Sequence, residues 1–389
     1  MSPSPRRWRR RLAVAALLSA LAGVLLVNAA ARPPRAYPDS PQFHDGAFHN
    51  AVTPKGPQGA GDVLKLWWKF FFGKRPTTRP DTQLPVQPLT RADLEAAPDH
   101  HLWRLGHSTV LMKLDGGFWI TDPVFSERAS PVQFAGPKRF HAPAIALDEL
   151  PPLRGVILSH DHYDHLDRAS IQALATRAQV FLTPLGVGDT LVRWGVAPER
   201  VIQLDWWQST QVDGLHFTAT PAQHFSGRTP FRKNPTLWAS WVVQTPALKL
   251  FFSGDTGYFE GFKAIGQRLG PFDVTLMENG AYDPLWSGVH MLPEQSVQAH
   301  QDLRGGWMLP IHNSTFDLAF HDWQAPMETV LSLAEQRGVS LSTPRMGEPV
   351  NLLAMRPFER WWKPLVRTHE RDAAAVGNTL KPSAGESAR

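Results

Sequence analysis

The run Ser-His-Asp-His-Tyr-Asp-His at positions 159–165 constrains the fold of this chain more than any other feature. It follows the apolar run 155–158, which is typical of a buried strand. Four side chains able to bind a metal fall within six positions: His160, His162, Asp164 and His165. Imidazole and carboxylate are donors that zinc and similar divalent ions prefer, and the chain has no cysteine to compete with them. A loop at a strand end can direct His160 and His162 at one ion and the other two at a second ion. The alternative is a surface cluster of histidines.

Three further apolar runs each end in a residue able to bind a metal. The run 215–220 precedes His224, the run 250–253 precedes Asp255, and the run 307–311 precedes His312. A rigid scaffold can bring several strand ends to one rim, where their side chains form one site. A single histidine after a strand is more often structural than a ligand. The joint pattern favours one metal site drawing on residues from 160 to 312, and hence a single domain.

From about residue 101 to residue 353 the chain alternates short β-like runs with helical stretches. The triplet 115–117, Asp-Gly-Gly, predicts a hairpin between two early strands. Helices are expected at 169–178 and 189–194. Strands are expected at 102–105, 110–114, 118–121, 180–183, 215–220, 240–245, 249–253 and 274–277. Early hairpins and later crossovers imply mixed sheets covered by helices, so the predicted class is α/β.

The order of the candidate ligands resembles the pattern of the metallo-β-lactamase fold superfamily, which is His-x-His-x-Asp-His, then a His, a bridging Asp and a final His. The resemblance implies a four-layer αβ/βα sandwich with metals at one edge of the two sheets. It also implies two Zn²⁺ ions, while Mn²⁺ or Fe²⁺ would suit the same donors. Carried over by position, the first ion is held by His160, His162 and His224, the second by Asp164, His165 and His312, and Asp255 bridges them.

Further segments resemble the branch that contains the N-acyl-phosphatidylethanolamine-hydrolysing phospholipase D. The similarity covers about residues 100–350, and residues 32–100 match loosely. Asp161 departs from the branch, which usually has Asn there, and a position between ligands should tolerate the change. The matching segments are 106–109, 121–126, 128–131, 136–140, 220–228 and 280–282.

The resemblance implies a dinuclear zinc hydrolase, in particular a phosphodiesterase of phospholipase D type acting on N-acyl-phosphatidylethanolamine or a related phospholipid. Catalytic roles would fall to Asp164, Asp255 and His290. His290 lies where the branch has a histidine near the leaving group, so it would act as general acid or orient the phosphate; an ordinary loop histidine is the alternative. A lactonase or other carboxylic-ester hydrolase would need the same seven ligands. A non-hydrolytic metal-binding or diiron redox protein would need extra carboxylates or a flavin domain, and the sequence indicates neither.

Several other polar residues are candidates for supporting the ligands or contacting substrate. Asp122 precedes a proline at a strand end, where it would either accept a hydrogen bond from a ligand imidazole or stabilise the turn. His107 follows a glycine turn near the same rim and would either support a ligand or pack. Tyr163 and Tyr282 could contact a substrate oxygen, although core packing is favoured for both. His321 is expected to be structural.

The N-terminus carries the excess charge of the chain. Of the 40 basic residues five are arginines within residues 1–31, which contain no acid, so the remainder has 35 basic and 35 acidic residues. A net charge of zero there argues against a nucleic-acid partner. The basic start, the apolar run 12–27 and the alanines 29–31 predict a signal peptide, or else an uncleaved anchor. Either places the catalytic domain outside the cytoplasm, in the periplasm or held at the membrane.

The remaining boundaries follow from composition. Residues 32–99 are expected to form an extended lead-in, of which residues 32–62 are rich in proline, glycine and polar residues. Within it, the aromatic segment Trp67–Phe72 would lie in a membrane interface or pack on the core. The hydrolase domain is expected at 100–365, and residues 366–389 are expected to be a disordered tail. A phospholipid substrate and association with a membrane are the partners that this organisation suggests.

Overall fold

The computed structural model describes residues 35–54, 56, 61, 65, 68, 69, 73–229 and 232–366. The predicted signal or anchor at 1–31, most of the segment Trp67–Phe72 and the tail from residue 367 onwards lie outside the described residues. Over the described part, two seven-stranded mixed sheets face each other and helices cover both outer faces.

The first sheet has the strand order β16-β3-β4-β5-β6-β7-β8. Strands β3, β4 and β5 are antiparallel neighbours, while β5 to β8 run parallel and β16 pairs antiparallel with β3. The predicted hairpin joins β4 to β5, with Asp115 and Gly116 both at positive φ. Its strands are β3 (His101–Gly106), β4 (Thr109–Leu114), β5 (Gly117–Thr121), β6 (Leu153–Ile157), β7 (Ala178–Pro184), β8 (Val201–Leu204) and β16 (Pro349–Asn351).

The second sheet has the order β15-β14-β13-β12-β11-β10-β9. Strands β9 to β12 are antiparallel and β12 to β15 are parallel, so each sheet combines an antiparallel half with a parallel half. Its strands are β9 (Ser209–Val212), β10 (Leu215–Thr220), β11 (Ser240–Gln244), β12 (Lys249–Phe252), β13 (Phe272–Glu278), β14 (Gly305–Ile311) and β15 (Ser340–Leu341).

Helices occupy the outer face of each sheet. The first sheet is covered by α1 (Arg91–Ala96), α2 (Arg168–Leu174) and α3 (Val187–Arg193). The second is covered by α4 (Gly261–Arg268), α5 (Pro293–Asp302) and α6 (Ala325–Arg337). Single 3₁₀ turns lie at Pro76–Thr78, Leu147–Glu149, Pro198–Arg200 and Pro284–Trp286. The predicted α/β class and the four-layer αβ/βα sandwich are therefore confirmed.

Strand alternation explains why each sheet packs on both faces. In β4, Val110 and Met112 lie in the core between the sheets, whereas Leu111 lies in the core under the helices. In β12, Phe252 faces the space between the sheets and Phe251 faces the helices. Such strands are apolar along their length because successive side chains point to opposite faces and both faces are covered.

Residues before the sheets also pack against them. A short hairpin of β1 (Phe43–His44) and β2 (Ala47–Phe48) places Phe48 in the core between the sheets, fully buried. Leu94 is buried under the first sheet, in a helix that Thr90 caps through a capping box with Asp93. Among the described residues no helix is long and apolar enough to cross a membrane.

Candidate metal centre

Every candidate ligand lies just beyond the carboxyl end of a strand. The loop 160–165 follows β6 of the first sheet, whereas His224, Asp255 and His312 follow β10, β12 and β14 of the second. Strands β10, β12 and β14 run in the same direction, because β10 and β12 are both antiparallel to β11 and because β12 and β14 are both parallel to β13. Their carboxyl ends therefore lie at one edge of the second sheet. The two sheets therefore contribute ligands to one rim, as the sequence predicts.

Three residues at this rim turn the chain sharply by adopting left-handed backbone conformations. The φ angles are +50° for His107, +34° for Asp122 and +62° for His312. Residues other than glycine rarely occupy this region, and such strained positions cluster at functional sites. A contact between the two sheets stabilises these conformations: the backbone N–H of His312 donates to the carbonyl of His107 at 3.1 Å.

A first group of ligand atoms comes from His160, His162, His224 and Asp255, which can approach one ion together. The Nδ1 atom of His162 lies 2.9 Å from Nε2 of His160 and 3.1 Å from Nε2 of His224. The Oδ2 atom of Asp255 is 3.8 Å from Nε2 of His160 and 3.9 Å from Nε2 of His224. Three imidazoles and one carboxylate thus converge, which is the donor set expected for zinc.

A second group lies on the other side of Asp255. Its Oδ1 is 3.0 Å from Nε2 of His165, and its Oδ2 is 3.0 Å from Nε2 of His312. Asp164 closes this group, with Oδ2 at 3.5 Å from His165 Nε2 and 3.4 Å from His312 Nε2. The structure therefore brings all seven sequence-predicted ligands together, with Asp255 between the two groups.

Hydrogen bonds on the far side of the rings fix which nitrogen faces the centre. Nδ1 of His165 bonds to Oδ2 of Asp122 at 2.7 Å, and Nδ1 of His224 bonds to the carbonyl of Val289 at 2.9 Å. Nδ1 of His160 lies 2.9 Å from the hydroxyl of Ser159. Each bond leaves Nε2 of its ring free to coordinate, and such outer partners orient ligands and raise their basicity.

Besides its bond to His165, Asp122 is held in place by two hydrogen bonds from Ser159. It accepts the backbone N–H of Ser159 at 2.8 Å and the Ser159 hydroxyl at 2.6 Å. Burial raises the pKa of this carboxyl, and its bonds to His165 and Ser159 act in the opposite direction. Of the two roles that the sequence allowed, Asp122 is placed for orienting a ligand imidazole.

The electrostatics of the second group of ligands favour bound positive charge, whereas burial lowers the pKa of His160, His162 and His224 in the first group and keeps these imidazoles neutral. Burial disfavours the charged form of His165, but the carboxylates of Asp255 and Asp164 outweigh it and raise its pKa well above the usual value. Burial likewise opposes charge on His312, and Asp255 with Asp164 raises its pKa to about 10. Burial opposes charge on Asp255 as well, yet His165 and His312 lower its pKa well below the usual range. Divalent cations can supply the positive charge that protons otherwise provide, which is why metal binding competes with protonation.

Unsatisfied buried atoms also fit a metal. Nε2 of His165, Nε2 of His312 and Oδ1 of Asp255 are buried and have no hydrogen-bond partner among the described residues. Nε2 of His165 and Oδ1 of Asp255 are 3.0 Å apart without the orientation of a hydrogen bond. Buried polar atoms are almost always paired, so unpaired atoms that converge on one space indicate a ligand. The donor set and its orphaned atoms fit two divalent cations.

Sequence reasoning missed Glu278, the last residue of β13. Its carboxylate is fully buried and accepts the N–H of Thr256 at 2.6 Å and a hydrogen bond from Nδ1 of His290. It forms a third group of possible metal-binding side chains with Asp255, His290 and His312. The run 274–277 was predicted as a strand, and the rule that strand ends carry ligands could have extended it to Glu278. An extra carboxylate therefore does lie at the site.

His290, the predicted general acid, lies at the edge of the centre. Its side chain is 15% exposed, and its Nδ1 is 3.9 Å from Oδ2 of Asp255. Because Glu278 occupies Nδ1, Nε2 is the nitrogen left to face a substrate.

Of the other predicted site residues, His107 contacts a candidate ligand, whereas Tyr163 and Tyr282 contact other residues. His107 joins the second group of ligands, with Nε2 at 3.0 Å from Oδ2 of Asp164. Burial lowers its pKa to about 3. Tyr163 donates to the carbonyl of Arg228, whose guanidinium stacks on its ring at 3.9 Å. Tyr282 packs on His321 at 4.5 Å, so the structure brings these two to each other rather than to the ligands.

A cavity of about 630 Å³ lies behind the ligand loop. Asp161 and Tyr163, which alternate with the ligands along the loop, form part of its wall, and none of the seven candidate ligands lines it. Asp161 accepts the N–H of Gly227 at 2.8 Å, a role that an asparagine could also fill, which is consistent with tolerance of this departure. Phe225, the residue after the ligand His224, is 44% exposed and packs on His162 with ring centroids 4.5 Å apart.

Comparison with known proteins agrees with this geometry. A family model described as a beta-lactamase superfamily domain matches residues 119–313. An uncharacterized protein of Mycobacterium tuberculosis is 40% identical over 328 residues, which are 83% of this chain and 88% of the relative. N-acyl-phosphatidylethanolamine-hydrolyzing phospholipase D 1 of Caenorhabditis elegans is 34% identical over 285 residues, 69% of this chain and 80% of that protein. The solved structure of a metallo hydrolase from Ignicoccus hospitalis superposes with a TM-score of 0.50 and 22% identity, over 64% of this chain and 97% of its own.

Proposed function

This chain belongs to the metallo-β-lactamase superfamily of metal-dependent hydrolases, and from this premise we propose that it is a dinuclear zinc phosphodiesterase of phospholipase D type. Its substrate would be N-acyl-phosphatidylethanolamine or a related phospholipid. The observation that carries the proposal is the convergence of two ligand groups on Asp255. The name of the Caenorhabditis elegans relative supports the lipid class.

The seven ligands divide between two ions. His160, His162 and His224 would hold the first, Asp164, His165 and His312 the second, and Asp255 both. Two divalent cations held by these residues would lower the pKa of water and neutralise charge on the non-bridging oxygens of a phosphodiester. The protein fixes their ligands before the reaction begins, because the far ring nitrogens are already bonded to Asp122, Val289 and Ser159.

The reaction would exchange one phosphorus–oxygen bond for another. The oxygen of water would add to phosphorus as the bond from phosphorus to the ethanolamine oxygen breaks, which yields phosphatidic acid and an N-acylethanolamine. One proton of the water would stay on the new phosphate hydroxyl, and the other would replace the proton that His290 gives away. His290 would deliver a proton from Nε2 to the departing oxygen, since its Nδ1 is bonded to Glu278. The buried Glu278 would hold the ring in this orientation.

We propose that the protein meets its substrate at a membrane outside the cytoplasm. The pattern of residues 1–31 supports export. Phe225, which packs on the ligand His162 and is 44% exposed, and Trp68, which is 67% exposed, support contact with lipid because aromatic side chains suit the membrane interface.

The test uses the full chain, purified in detergent and loaded with zinc. It would be offered vesicles containing N-acyl-phosphatidylethanolamine, bis(p-nitrophenyl) phosphate and a simple lactone side by side. We expect about two zinc ions per chain and release of phosphatidic acid, both lost or strongly reduced in Asp255→Ala and kept in Asp213→Ala, whose carboxylate is half exposed and pairs with Arg154. Turnover of the lactone alone would favour a carboxylic-ester hydrolase, and failure to bind zinc, manganese or iron would overturn the proposal.

A further inference from the structure

Asn50, which lies outside the two large sheets, clamps the backbone of the candidate ligand His224. Its side-chain Nδ2 donates to the carbonyl of His224 at 2.7 Å. Its Oδ1 accepts the N–H of His224 at 3.0 Å. The two residues are 174 positions apart in the chain, so this clamp is a tertiary contact that the local sequence around either residue does not suggest.

His224 needs such a clamp because of where it lies. It follows β10 by four residues, in a stretch without helix or strand, so its peptide group has no ladder partner. Neighbouring amides in this loop are held by side chains in the same way, including Gln223 by Thr256 at 2.9 Å and Gly227 by Asp161 at 2.8 Å. At His224 both the N–H and the carbonyl are held by one carboxamide.

Asn50 is itself fixed firmly. The hairpin before it packs Phe43 and Phe48 against each other with ring centroids 5.0 Å apart, and Phe48 is fully buried. The N–H of Phe48 donates to the carbonyl of Asn234 at 2.9 Å. The indole N–H of Trp238 donates to Oδ1 of Asn50 at 3.1 Å, so the carboxamide cannot rotate without losing this bond as well.

We propose that Asn50 is a positioning residue for the first metal ion and that the hairpin 43–48 therefore belongs functionally to the metal centre. The clamp sets the position of the His224 backbone, and the bond from Nδ1 to Val289 sets the ring, so together they place Nε2 beside His162. Without the two bonds to Asn50 the loop around His224 would be more flexible in the metal-free protein. Metal binding would then have to order this loop, which lowers the affinity for the ion. The inference rests on the role of His224 in the proposed function.

The test compares zinc affinity in four variants of the full chain. Asn50→Ala removes the clamp, and Asn50→Asp keeps its shape and its acceptor but places an oxygen against the carbonyl of His224. His224→Ala serves as reference. Asn351→Ala serves as matched control, because Oδ1 of Asn351 also accepts a backbone N–H, that of Leu353 at 3.0 Å, but at the edge of the first sheet.

Competition with a chromophoric chelator would give the dissociation constant of each zinc ion. We expect both Asn50 variants to weaken one of the two ions by about 10- to 100-fold, the range typical for residues that orient ligands, and to leave the other ion less affected. The visible absorption bands of the cobalt-loaded protein should change in the Asn50 variants, because they report ligand geometry. Asn351→Ala should match the wild type in both measurements.

Thermal unfolding with and without zinc separates positioning from simple packing. A smaller zinc-induced rise in the midpoint of Asn50→Ala supports the inference. A lower midpoint with an unchanged zinc-induced rise, or an unchanged zinc affinity, overturns it. If His224→Ala weakens zinc binding and the Asn50 variants do not, this inference alone fails. If His224→Ala also binds zinc like the wild type, the ligand assignment of the proposed function fails with it.

Discussion

At the scale of single residues, Asp122 should determine the affinity of the second metal ion without touching it. Its carboxylate accepts hydrogen bonds from Nδ1 of His165 and from the backbone N–H and the hydroxyl of Ser159, and all three residues are buried. Asp122→Ala frees the His165 ring to rotate or change tautomer, so we expect zinc affinity to fall about 10- to 100-fold. Chelator competition would measure it. Asp273→Ala is the matched control, since this exposed carboxylate accepts the N–H of Lys249 at 2.7 Å; an equal loss in both variants would contradict the orienting role.

His300 should make the free energy of unfolding depend on pH. It is buried in α5 with Nδ1 at 2.8 Å from the hydroxyl of Thr275, and burial lowers its pKa from 6.5 to about 4. Between these values the unfolded chain binds the proton and the folded chain does not, so this group lowers stability as the pH falls from about 6.5 to about 4. The full effect is about 3 kcal/mol, since one pH unit corresponds to about 1.4 kcal/mol.

Urea unfolding of metal-free protein at several pH values would measure this contribution. His300→Asn should lose less stability on acidification than the wild type does. His216→Asn, at an exposed position of β10, controls for removing a histidine. Parallel pH profiles of His300→Asn and the wild type would show that His300 contributes nothing.

At the scale of elements, the sequence predicts the inner strands well and the edges poorly. The runs predicted as strands within 102–121 and 215–253 coincide with β3 to β5 and β10 to β12 to within about two residues at their ends. Strands β3 to β5, β11 and β12 are buried on both faces, so their apolar runs are nearly continuous. Strand β10 instead alternates buried residues with more exposed ones such as His216, which is the other pattern typical of a strand. Strands β8 and β9 were missed because they lie at sheet edges with half-exposed side chains, and β15 and β16 have only two and three residues.

Local pattern also misplaces boundaries where two elements adjoin. The helix expected at 169–178 ends at Leu174, because Ala178 already begins β7. The candidate ligands could be predicted because each lies in the loop that follows an apolar run. Glu278, which ends β13, could have been found by the same rule. Asn50 could not, because its role depends on a contact with His224 that tertiary packing creates.

Gly254 lies between β12 and Asp255, where the loop after β12 contacts the ligand loop after β6. Its φ of +56° suits glycine, and an added Cβ would lie 2.5 Å from Cβ of Ser159, the residue before His160. Gly254→Ala should therefore push the ligand loop of the first sheet away from Asp255. We expect a loss of about 1–3 kcal/mol in the free energy of unfolding together with weaker zinc binding.

Gly266→Ala provides the comparison. Gly266 lies in α4, and its added Cβ would meet the carbonyl oxygen of Asp302 in α5 at 2.2 Å. This change should cost a similar amount of stability but leave zinc affinity close to that of the wild type. Urea unfolding and chelator competition on both variants would decide, and unchanged zinc affinity in Gly254→Ala would contradict the proposed coupling.

At the scale of the whole molecule, the candidate ligands lie where the two sheets meet, beside the apolar core that the sheets share. The first sheet contributes the loop 160–165 and the second contributes His224, Asp255 and His312. Direct backbone links support this junction, among them the bond from the N–H of Ala239 to the carbonyl of Ser159 at 3.0 Å. The indole N–H of Trp241 in β11 likewise donates to the carbonyl of Leu158 at 2.9 Å. Neither sheet alone holds a complete site, so binding and folding should be coupled.

Zinc should therefore stabilise the whole fold. At a free zinc concentration of 1,000 times the dissociation constant, a ligand that binds the folded state alone adds about 4 kcal/mol to the free energy of unfolding. Calorimetry should show a midpoint that rises with zinc and falls with chelator, and Asp255→Ala should lose most of the rise because Asp255 contacts both ligand groups. Hydrogen exchange should slow at the carboxyl ends of both β6 and β12. Protection confined to one sheet would mean that the ions do not join the two sheets, whereas protection of both would make the metal centre a structural link between them.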